Sequence, residues 1–147
     1  MRITSYSIRK AEVSDIPSLV TLMGELSGHP VTTQDMANTL NVIENSAIEQ
    51  LFVCEDEGKI LGLIGFRIRE NLEEATRYGE VSALVVNPED RNKGVARFMM
   101  EHAEQLAQEY GCIGTWLTSG FGREEAAHSF YKKLGYKING YRFIKVE

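Results

Sequence analysis

The stretch that decides the fold is GEVSALVVNPEDRNKGVA over residues 79–96, which continues as a helix-forming segment to Tyr110. Its first part, 79–86, is apolar and rich in β-branched residues. It is bounded by a glycine and by an Asn-Pro pair, which predicts a strand. From Val95 to Leu106 apolar side chains recur at helical spacing, which predicts an amphipathic helix. The short segment between them is therefore a turn at a helix N-terminus.

That turn carries two cations and a glycine. A helix N-terminus presents backbone N–H groups without intrahelical partners, and the helix dipole favours an anion there. Arg91 and Lys93 add positive charge, and a Cβ at Gly94 would push a phosphate off the backbone donors. Neither GxxxxGK[ST] nor a GxGxxG after a strand occurs. The turn therefore predicts a phosphate or pyrophosphate cradle, although residues 91–96 alone fit an ordinary solvated connection equally well.

Two motifs resemble the GCN5-related N-acetyltransferase (GNAT) family. Residues 86–96, VNPEDRNKGVA, are similar to its acetyl-CoA motif Arg/Gln-x-x-Gly-x-Gly/Ala. Residues 127–136, AHSFYKKLGY, are similar to its second signature Ala-x-x-Phe-Tyr-x-x-x-Gly-Tyr/Phe. The motifs occur in the family's order and at its distance, and the resemblance covers essentially the whole chain. It implies a single-domain acyl-CoA N-acyltransferase fold with acetyl-CoA as co-substrate.

Length and composition fit one cytoplasmic domain over residues 1–147. The chain has 43% apolar and 25% charged residues, which is ordinary for a soluble globular protein. A net charge of −5 argues against a nucleic-acid partner and mildly favours a cationic one. No apolar run approaches the ~20 residues of a membrane span, and residues 1–5 lack a signal-like stretch. Cys54 and Cys112 are expected to be reduced thiols, and no metal is expected because no His, Cys or Asp cluster has metal-ligand spacing.

The remaining segments predict a mixed α/β sheet flanked by helices. The predicted strands are 6–10, 51–55, 60–68, 79–86, 113–118 and 141–146, and the segment 69–78 is expected to be a polar loop. The predicted helices begin at Ser14 as N-cap, at Thr32 or Thr33, after the cradle, and at Arg123. Strands 51–55 and 60–68 form a hairpin, and the crossover helix makes 113–118 parallel to 79–86. The sheet is therefore expected to be mostly antiparallel with one central parallel pair.

The resemblance assigns the cofactor contacts to the cradle and the central strand. It implies that the pyrophosphate of acetyl-CoA is held by Arg91, Asn92, Lys93, Gly94, Val95 and Ala96. It implies that the pantetheine arm pairs with the backbone of Leu84, Val85 and Val86. Splaying between strands 79–86 and 113–118 would leave those backbone groups free, and the same strand can offer an N–H to an oxyanion. Ala96 stands where the family often has a second glycine.

Two residues are predicted to be catalytic. The resemblance implies that Tyr131 donates a proton to the departing thiolate, and a phenol with an unperturbed pKa near ~10 suits that role. A core aromatic is the alternative. Ser82 stands where many family members carry a Glu, so Glu80, on the same face of a regular strand, is the substitute base, acting directly or through water. The alternatives are an amine that needs no dedicated base, and Glu80 as a solvated strand-end charge.

The leading functional hypothesis is direct acetyl transfer from acetyl-CoA to a primary amine of a small molecule or peptide. An acyl-CoA-binding sensor of the same fold is the alternative, motivated by Ser82. A binder of ATP or NAD at the same cradle is a second alternative, but the sequence lacks the glycines and the acidic ribose partner that such sites usually need. Dimers are common in the resembled family, and a homodimer through the C-terminal strand edge and Trp116 is one option. Acceptor identity is expected in the segment 25–35, where the sequence does not reveal it.

Overall fold

One five-stranded mixed sheet organises the chain. The computed structural model describes residues 5–119 and 124–146. Its strands are β1 Ser7–Lys10, β2 Glu49–Asp56, β3 Lys59–Glu70, β4 Arg77–Val86 and β5 Gly114–Leu117. They lie in the order β1-β2-β3-β4-β5, with antiparallel pairing from β1 to β4 and parallel pairing between β4 and β5. The predicted hairpin and the parallel pair are both confirmed, but in the described residues the pair β4–β5 lies at the edge of the sheet and not at its centre.

Helices cover both faces of this sheet. They are α1 Ile16–Ser27, α2 Thr33–Glu44, α3 Val95–Glu109 and α4 Ser129–Lys133. Short turns of other helical types precede three of them, at Val13–Asp15, Pro88–Asp90 and Glu124–His128. The predicted start of the last helix at Arg123 lies outside the described residues. None of the helices in the described ranges combines the length and apolar character that crossing a bilayer requires.

Two buried clusters show which side chains face which helices. The α3 cluster contains Phe66 and Val81 together with Met99, whose side chain is fully buried. The opposite cluster joins α1 and α2 to the sheet and contains Leu63 and Val85. Since successive strand residues point to opposite faces, these clusters fix the orientation of the polar residues between them.

The start of α1 differs from the prediction. Ser14 is not the N-cap, because Val13–Asp15 forms a 3₁₀ turn and Asp15 is the residue that precedes the helix. The Asp15 carboxylate accepts hydrogen bonds from the Arg9 guanidinium and from the Glu12 backbone N–H, both at 2.7 Å. A carboxylate held by a cation stabilises this turn better than a serine hydroxyl would.

Other helix ends follow the sequence signals. Thr32 caps α2 by accepting a hydrogen bond from the Asp35 backbone N–H at 3.0 Å. The α3 helix ends at Glu109 with Tyr110 as its C-cap, and Gly111 follows with a φ of 72°. A left-handed glycine at this position is the usual end of a helix.

Two predicted boundaries are wrong. The loop expected over 69–78 is shorter, because β3 continues to Glu70 and β4 begins at Arg77. The two residues pair across the strands, and their side chains form an ion pair at 3.1 Å. Charged side chains that pair across a hairpin resemble a polar loop when they are seen only in sequence.

The strand predicted at Tyr141–Val146 is absent from the sheet. The segment 137–146 has no regular structure, and its large apolar side chains are exposed. Its alternating pattern is present, but no strand in the described part of this chain pairs with it. A strand needs a neighbour for its backbone hydrogen bonds, so the pattern alone does not form one.

Candidate active site

The turn from β4 into α3 has the backbone shape that a cradle needs. Asn92 and Gly94 adopt left-handed φ angles of 63° and 81°, and Gly94 is the N-cap of α3. Phe98 donates the first regular helical hydrogen bond, to the Gly94 carbonyl at 3.0 Å. The N–H groups before it belong to the first helical turn and have no acceptor within the helix. They are therefore available to an anion above the turn.

Gly94 is required by its backbone conformation. A Cβ built on it would meet no protein atom within 4 Å. The positive φ costs a residue with a side chain about 1–2 kcal/mol. The space beside the Gly94 backbone is open, so a ligand can approach the backbone there.

Contacts with neighbouring elements hold the cradle in place. The Tyr6 hydroxyl donates to the Lys93 carbonyl at 2.8 Å, which joins the cradle to the residue before β1. Arg91 donates to the Glu25 carboxylate of α1 at 3.0 Å. The Lys93 amino group lies 3.9 Å from the buried carboxylate of Asp90. Both cradle cations are half-exposed, so their charges remain at the rim where an anion would bind.

The strands β4 and β5 separate next to the cradle. Their parallel pairing begins at Tyr78↔Gly114 and its last pair in the described ranges is Val81↔Leu117. On its other edge β4 remains paired with β3 up to Val86. One edge of residues 82–86 therefore carries backbone groups without a strand partner in the described chain. This is the geometry that the expectation for Leu84–Val86 requires.

A β-bulge at Ser82 marks the point of separation. Gly65 pairs with Ala83 and Phe66 with Val81, which leaves Ser82 as an extra residue. The Ser82 Oγ lies closer than van der Waals contact to the position that a Cβ on Gly65 would take. The bulge thus interrupts the two-residue alternation from which Glu80 and Ser82 were expected on one face of the strand. The Ser82 hydroxyl still reaches that face, because it lies over Gly65, whose two neighbours point toward α3. Bulges of this kind commonly re-aim side chains beside active sites.

Glu80 is a largely buried carboxylate between two guanidinium groups. Its side chain is 13% exposed, and its Oε1 lies 3.6 Å from both Arg67 and Arg69. That oxygen has no hydrogen-bond partner among the described residues. Arg67 also donates to Glu49 at 2.5 Å, and Arg69 lies over the Trp116 ring at 5.7 Å. Glu80 is therefore not a solvated strand-end charge.

Sequence patterns alone did not predict this group, which we call the Glu80 cluster (Glu49, Arg67, Arg69, Glu80 and Trp116). All of its strand positions point away from α3, because Phe66 and Val81 beside them point toward it. The Arg-x-Arg spacing at 67–69 was an available signal. It was overlooked because residue 69 was placed in a loop.

Tyr131 belongs to an aromatic group that joins α4 to α3. Its ring lies edge-on to Phe130 at 5.2 Å and to Tyr136 at 6.2 Å between centroids. The Tyr136 hydroxyl donates to Glu104 of α3 at 2.7 Å. Burial raises the pKa of Tyr136, and the hydrogen bond to Glu104 adds to that rise. Tyr131 is only half-buried and packs on the α3 side of the sheet, opposite Glu80.

An open depression adjoins the cradle at the end of α1. It has a volume of about 520 Å³ and is lined by Gly24, Glu25, Gly28, His29 and Pro30. Glu25 also holds Arg91, so this depression and the cradle share a side chain. The acceptor-side segment expected from the sequence is therefore next to the cradle.

The fold and its motifs have counterparts among known proteins. Residues 17–136 match the model of the Acetyltransferase (GNAT) family. This chain belongs to the GNAT family. It is similar to an aminoalkylphosphonate N-acetyltransferase of Salmonella typhimurium, with 28% identity over 94% of this chain and 89% of the relative. It is also similar to a glucosamine 6-phosphate N-acetyltransferase of Trypanosoma brucei brucei, with 25% identity over 93% of this chain and 92% of the relative.

A solved GNAT structure confirms the fold. A GNAT family acetyltransferase of Staphylococcus aureus superimposes with a TM-score of 0.82 and 26% identity, covering 98% of this chain and all of that one. This GNAT domain is an N-acetyltransferase, as the sequence predicted. Within residues 5–119 and 124–146, no group of three or more His, Cys, Asp or Glu is placed to hold a metal ion.

Proposed function

We propose that this acetyltransferase transfers acetyl from acetyl-CoA directly to the primary amine of a small molecule. The observation that carries the proposal is the adjacency of the cradle to the unpaired edge of β4. The pyrophosphate binds Arg91, Lys93 and the backbone N–H groups of 92–96. The pantetheine arm pairs with the free edge of residues 84–86, which directs the thioester toward the bulge at Ser82.

Two side chains share the proton transfers of the proposed reaction. The amine attacks the thioester carbonyl, a C–N bond forms, and the C–S bond then breaks. A backbone N–H of β4 stabilises the intervening oxyanion. Glu80 accepts the amine proton, directly or through a water, and Tyr131 donates a proton to the departing thiolate. Because Glu80 and Tyr131 lie on opposite sides of the sheet, the proposal requires the thioester to lie in the gap where β4 and β5 separate, within reach of both.

The acceptor in this proposal carries a phosphorus oxyanion as well as an amine. The names of both relatives describe such acceptors, an aminoalkylphosphonate and glucosamine 6-phosphate. In this chain Arg67 and Arg69 lie on the same face as Glu80, and Arg69 is half-exposed. A guanidinium group suits a tetrahedral oxyanion because it offers paired N–H donors. Glu80 and Arg69 together fit the two ends of an amine that bears a phosphate or phosphonate.

An acceptor screen tests this proposal. Thiol release from acetyl-CoA is followed with 2-aminoethylphosphonate and glucosamine 6-phosphate, and with ethanolamine and glucosamine as matched amines without phosphorus. Turnover is expected with the two phosphorus compounds, and a much higher KM is expected for the two matched amines. A peptide amine that is preferred over all four would contradict the small-molecule proposal. If each phosphorus compound and its matched amine had equal KM values, the acceptor would not need a phosphorus oxyanion, but the proposal of acetyl transfer would still stand.

A binding measurement separates the transferase from the sensor alternative. Acetyl-CoA and CoA are expected to raise the melting temperature, whereas ATP and NAD are not; a ligand at ~100 times its Kd adds roughly 2.7 kcal/mol. A shift with acetyl-CoA but no thiol release with any amine would favour the sensor. A larger shift with ATP or NAD would contradict the assignment of the ligand.

The cell compartment in this proposal is the cytoplasm. Cys54 and Cys112 are both free thiols. Free thiols are ordinary in a reducing compartment, where disulfides are rare. Burial raises the pKa of both thiols, so neither is activated as a nucleophile, which supports direct transfer without an acyl-enzyme.

A further inference from the structure

A row of side chains, three of them charged, crosses four strands of the sheet at one level. The strand register pairs Glu49 of β2 with Arg67 of β3, and Arg67 with Glu80 of β4. Glu80 in turn pairs with Trp116 of β5. Residues that pair directly across neighbouring strands place their side chains next to each other on one face. Arg67 therefore has a carboxylate on each side, and either one could accept its hydrogen bonds.

Arg67 gives its hydrogen bonds to Glu49 and not to Glu80. Its Nε donates to Oε1 of Glu49 at 2.5 Å, and one of its terminal nitrogens lies at the same distance from that oxygen. Its other terminal nitrogen lies 3.6 Å from Oε1 of Glu80, which is too far for a hydrogen bond. Glu49 thus holds the guanidinium group of Arg67 at a distance from Glu80.

Glu80 is left without a hydrogen-bond donor although two cations flank it. Its Oε1 is buried and has no hydrogen-bond partner in the described part of the chain. Arg69, the second cation, lies over the Trp116 ring at 5.7 Å and is also 3.6 Å from this oxygen. Both guanidinium groups are therefore engaged elsewhere, Arg67 with Glu49 and Arg69 with Trp116.

The position of Arg67 decides how readily Glu80 accepts a proton. A carboxylate that receives charge-assisted hydrogen bonds favours its ionised form, so it binds a proton less readily. A carboxylate without such a donor remains able to take the proton that a general base must accept. The separation of Arg67 from Glu80 is therefore a feature on which the proposed base depends.

The ionisable groups around Glu80 come from β3 and β4. Arg67 and Arg69 of β3 flank its carboxylate, and Tyr78 lies two positions earlier in β4 on the same face. Its neighbour in β5 is Trp116, which does not titrate. In the described ranges no ion pair joins Glu80 to α1 or α2, the helices on this face of the sheet. The two guanidinium groups therefore dominate the electrostatic surroundings of the base.

We propose that Glu49 is a positioning residue for the base, because it holds Arg67 and so prevents a hydrogen-bonded ion pair between Arg67 and Glu80. This inference rests on the proposed role of Glu80 as proton acceptor. Glu49 lies two strands from Glu80, a separation of about 10 Å, so it does not touch the reacting amine that Glu80 serves. Its effect on the reaction is exerted through Arg67.

The pH dependence of kcat tests this role. In Glu49→Gln, Arg67 loses its carboxylate and is expected to hydrogen-bond Glu80 instead. The ionised form of Glu80 is then favoured, so the acid-side midpoint of the kcat profile should move to lower pH by about one unit. The plateau value of kcat should fall by about tenfold, because the base accepts the proton less readily. The control Glu70→Gln removes the carboxylate of another cross-strand pair and should keep the wild-type profile.

A second background shows whether Glu49 acts through Arg67. In a chain with Arg67→Met there is no guanidinium group for Glu49 to hold. Adding Glu49→Gln to that chain should therefore change neither kcat nor the acid-side midpoint any further. An equal loss of kcat in both backgrounds, with no displacement of the midpoint, would show that Glu49 has only a structural role and would overturn the proposal.

Urea unfolding tests the exchange of partners without catalysis. Glu80→Gln should lower the urea midpoint more in the Glu49→Gln chain than in the wild type, since Arg67 then loses its second carboxylate as well. Equal decreases in the two backgrounds would contradict the exchange.

The kinetics of Glu80→Gln separate this inference from the proposed reaction. If Glu80→Gln has the kcat of the wild type, Glu80 is not the base and the role of Glu49 is overturned together with it. If Glu80→Gln is slow but Glu49→Gln keeps the wild-type profile, the base stands and only the role of Glu49 is overturned.

Discussion

At the scale of single residues, Gly94 has a conformational role that can be separated from ligand binding. Its φ of 81° is matched by Gly58, with 82°, in the β2–β3 turn, and a Cβ at either glycine meets no atom within 4 Å. Placing a side chain at either glycine therefore carries the same conformational cost in free energy. Only Gly94 belongs to the cradle, so comparing the two substitutions separates the effect on ligand binding from the effect on folding.

Replacement of Gly94 by Ala is expected to weaken CoA binding. Both Gly94→Ala and Gly58→Ala should lower the free energy of unfolding by about 1–2 kcal/mol, because each places a side chain at a left-handed φ. Only Gly94→Ala should also raise the Kd for CoA, by about tenfold or more. Calorimetric titration and chemical unfolding measure the two effects. Equal CoA affinity in the two variants would contradict the cradle.

Glu80 is expected to be the proton acceptor. Glu80→Gln should lower kcat by about 10²–10⁴-fold, with little change in KM for acetyl-CoA, since a general base contributes on this scale. The control is Glu70→Gln on the neighbouring strand, where Glu70 pairs with Arg77 at the surface. Steady-state kinetics over a range of pH provide the measurement. A Glu80→Gln variant with wild-type kcat would favour an amine that arrives neutral.

Tyr131 is expected to act as the acid. Tyr131→Phe keeps the ring contacts with Phe130 and Tyr136 and removes only the hydroxyl. A loss of about 10²–10⁴-fold in kcat is expected, because the thiolate then departs without a proton. Tyr110→Phe is the matched control, since its hydroxyl meets Gln50 away from the cradle. If both variants retain wild-type kcat and stability, Tyr131 is a core aromatic and not a catalytic residue.

At the scale of elements, the bulge in β4 depends on a glycine in the neighbouring strand. Ser82 Oγ lies closer than van der Waals contact to the position of a Cβ on Gly65, and the next atom, the Ala83 backbone N, is 3.4 Å from that position, an ordinary distance. One hydroxyl oxygen is therefore the main obstacle to a side chain at Gly65. The geometry links a residue of β3 to the point where β4 leaves β5.

A double-mutant cycle is expected to reveal this link. Gly65→Ala alone should destabilise by about 1 kcal/mol or less, because the exposed Ser82 hydroxyl must turn to another rotamer, and should lower activity. Ser82→Ala alone removes an exposed hydroxyl and should be nearly neutral. The double variant should regain most of the stability that Gly65→Ala loses, since the obstructing oxygen is gone. Additive free energies of unfolding would show that the bulge does not depend on this contact.

The elements also show how far the sequence can predict the structure. The turn at Gly94, the Thr32 cap of α2 and the β4–β5 crossover depend on local signals such as a glycine, a capping threonine or the Asn-Pro pair, and these were predicted. The Glu80 cluster depends on the register between β3 and β4, including the shift at Gly65, which no local pattern specifies. The segment 141–146 was predicted as a strand from its alternation, but alternation does not specify which strand pairs with it.

At the scale of the whole molecule, one ion pair joins the first strand to the first helix. Arg9 of β1 holds Asp15 at 2.7 Å, and the Asp15 side chain is 5% exposed. The hydrogen bond from Arg9 lowers the pKa of Asp15 below its ordinary value of 3.8. The unfolded chain therefore binds a proton at this carboxylate more readily than the folded chain does. The Arg9–Asp15 contact stabilises the fold when the pH is above 3.8, and this stabilisation is lost as the pH falls below that value.

Asp15→Asn is expected to reduce the acid sensitivity of the fold. The variant should be less stable than wild type at neutral pH, because the hydrogen-bonded ion pair is gone. Between about pH 5 and about pH 3 it should then lose less stability than wild type, since Asn has no proton to gain. Urea unfolding at each pH measures this, with Glu101→Gln as the control because its pair with Arg97 is exposed and contributes little. If the acid-side slopes of Asp15→Asn and wild type were equal, the pH dependence would arise from other carboxylates, and the Arg9–Asp15 pair would contribute nothing to it.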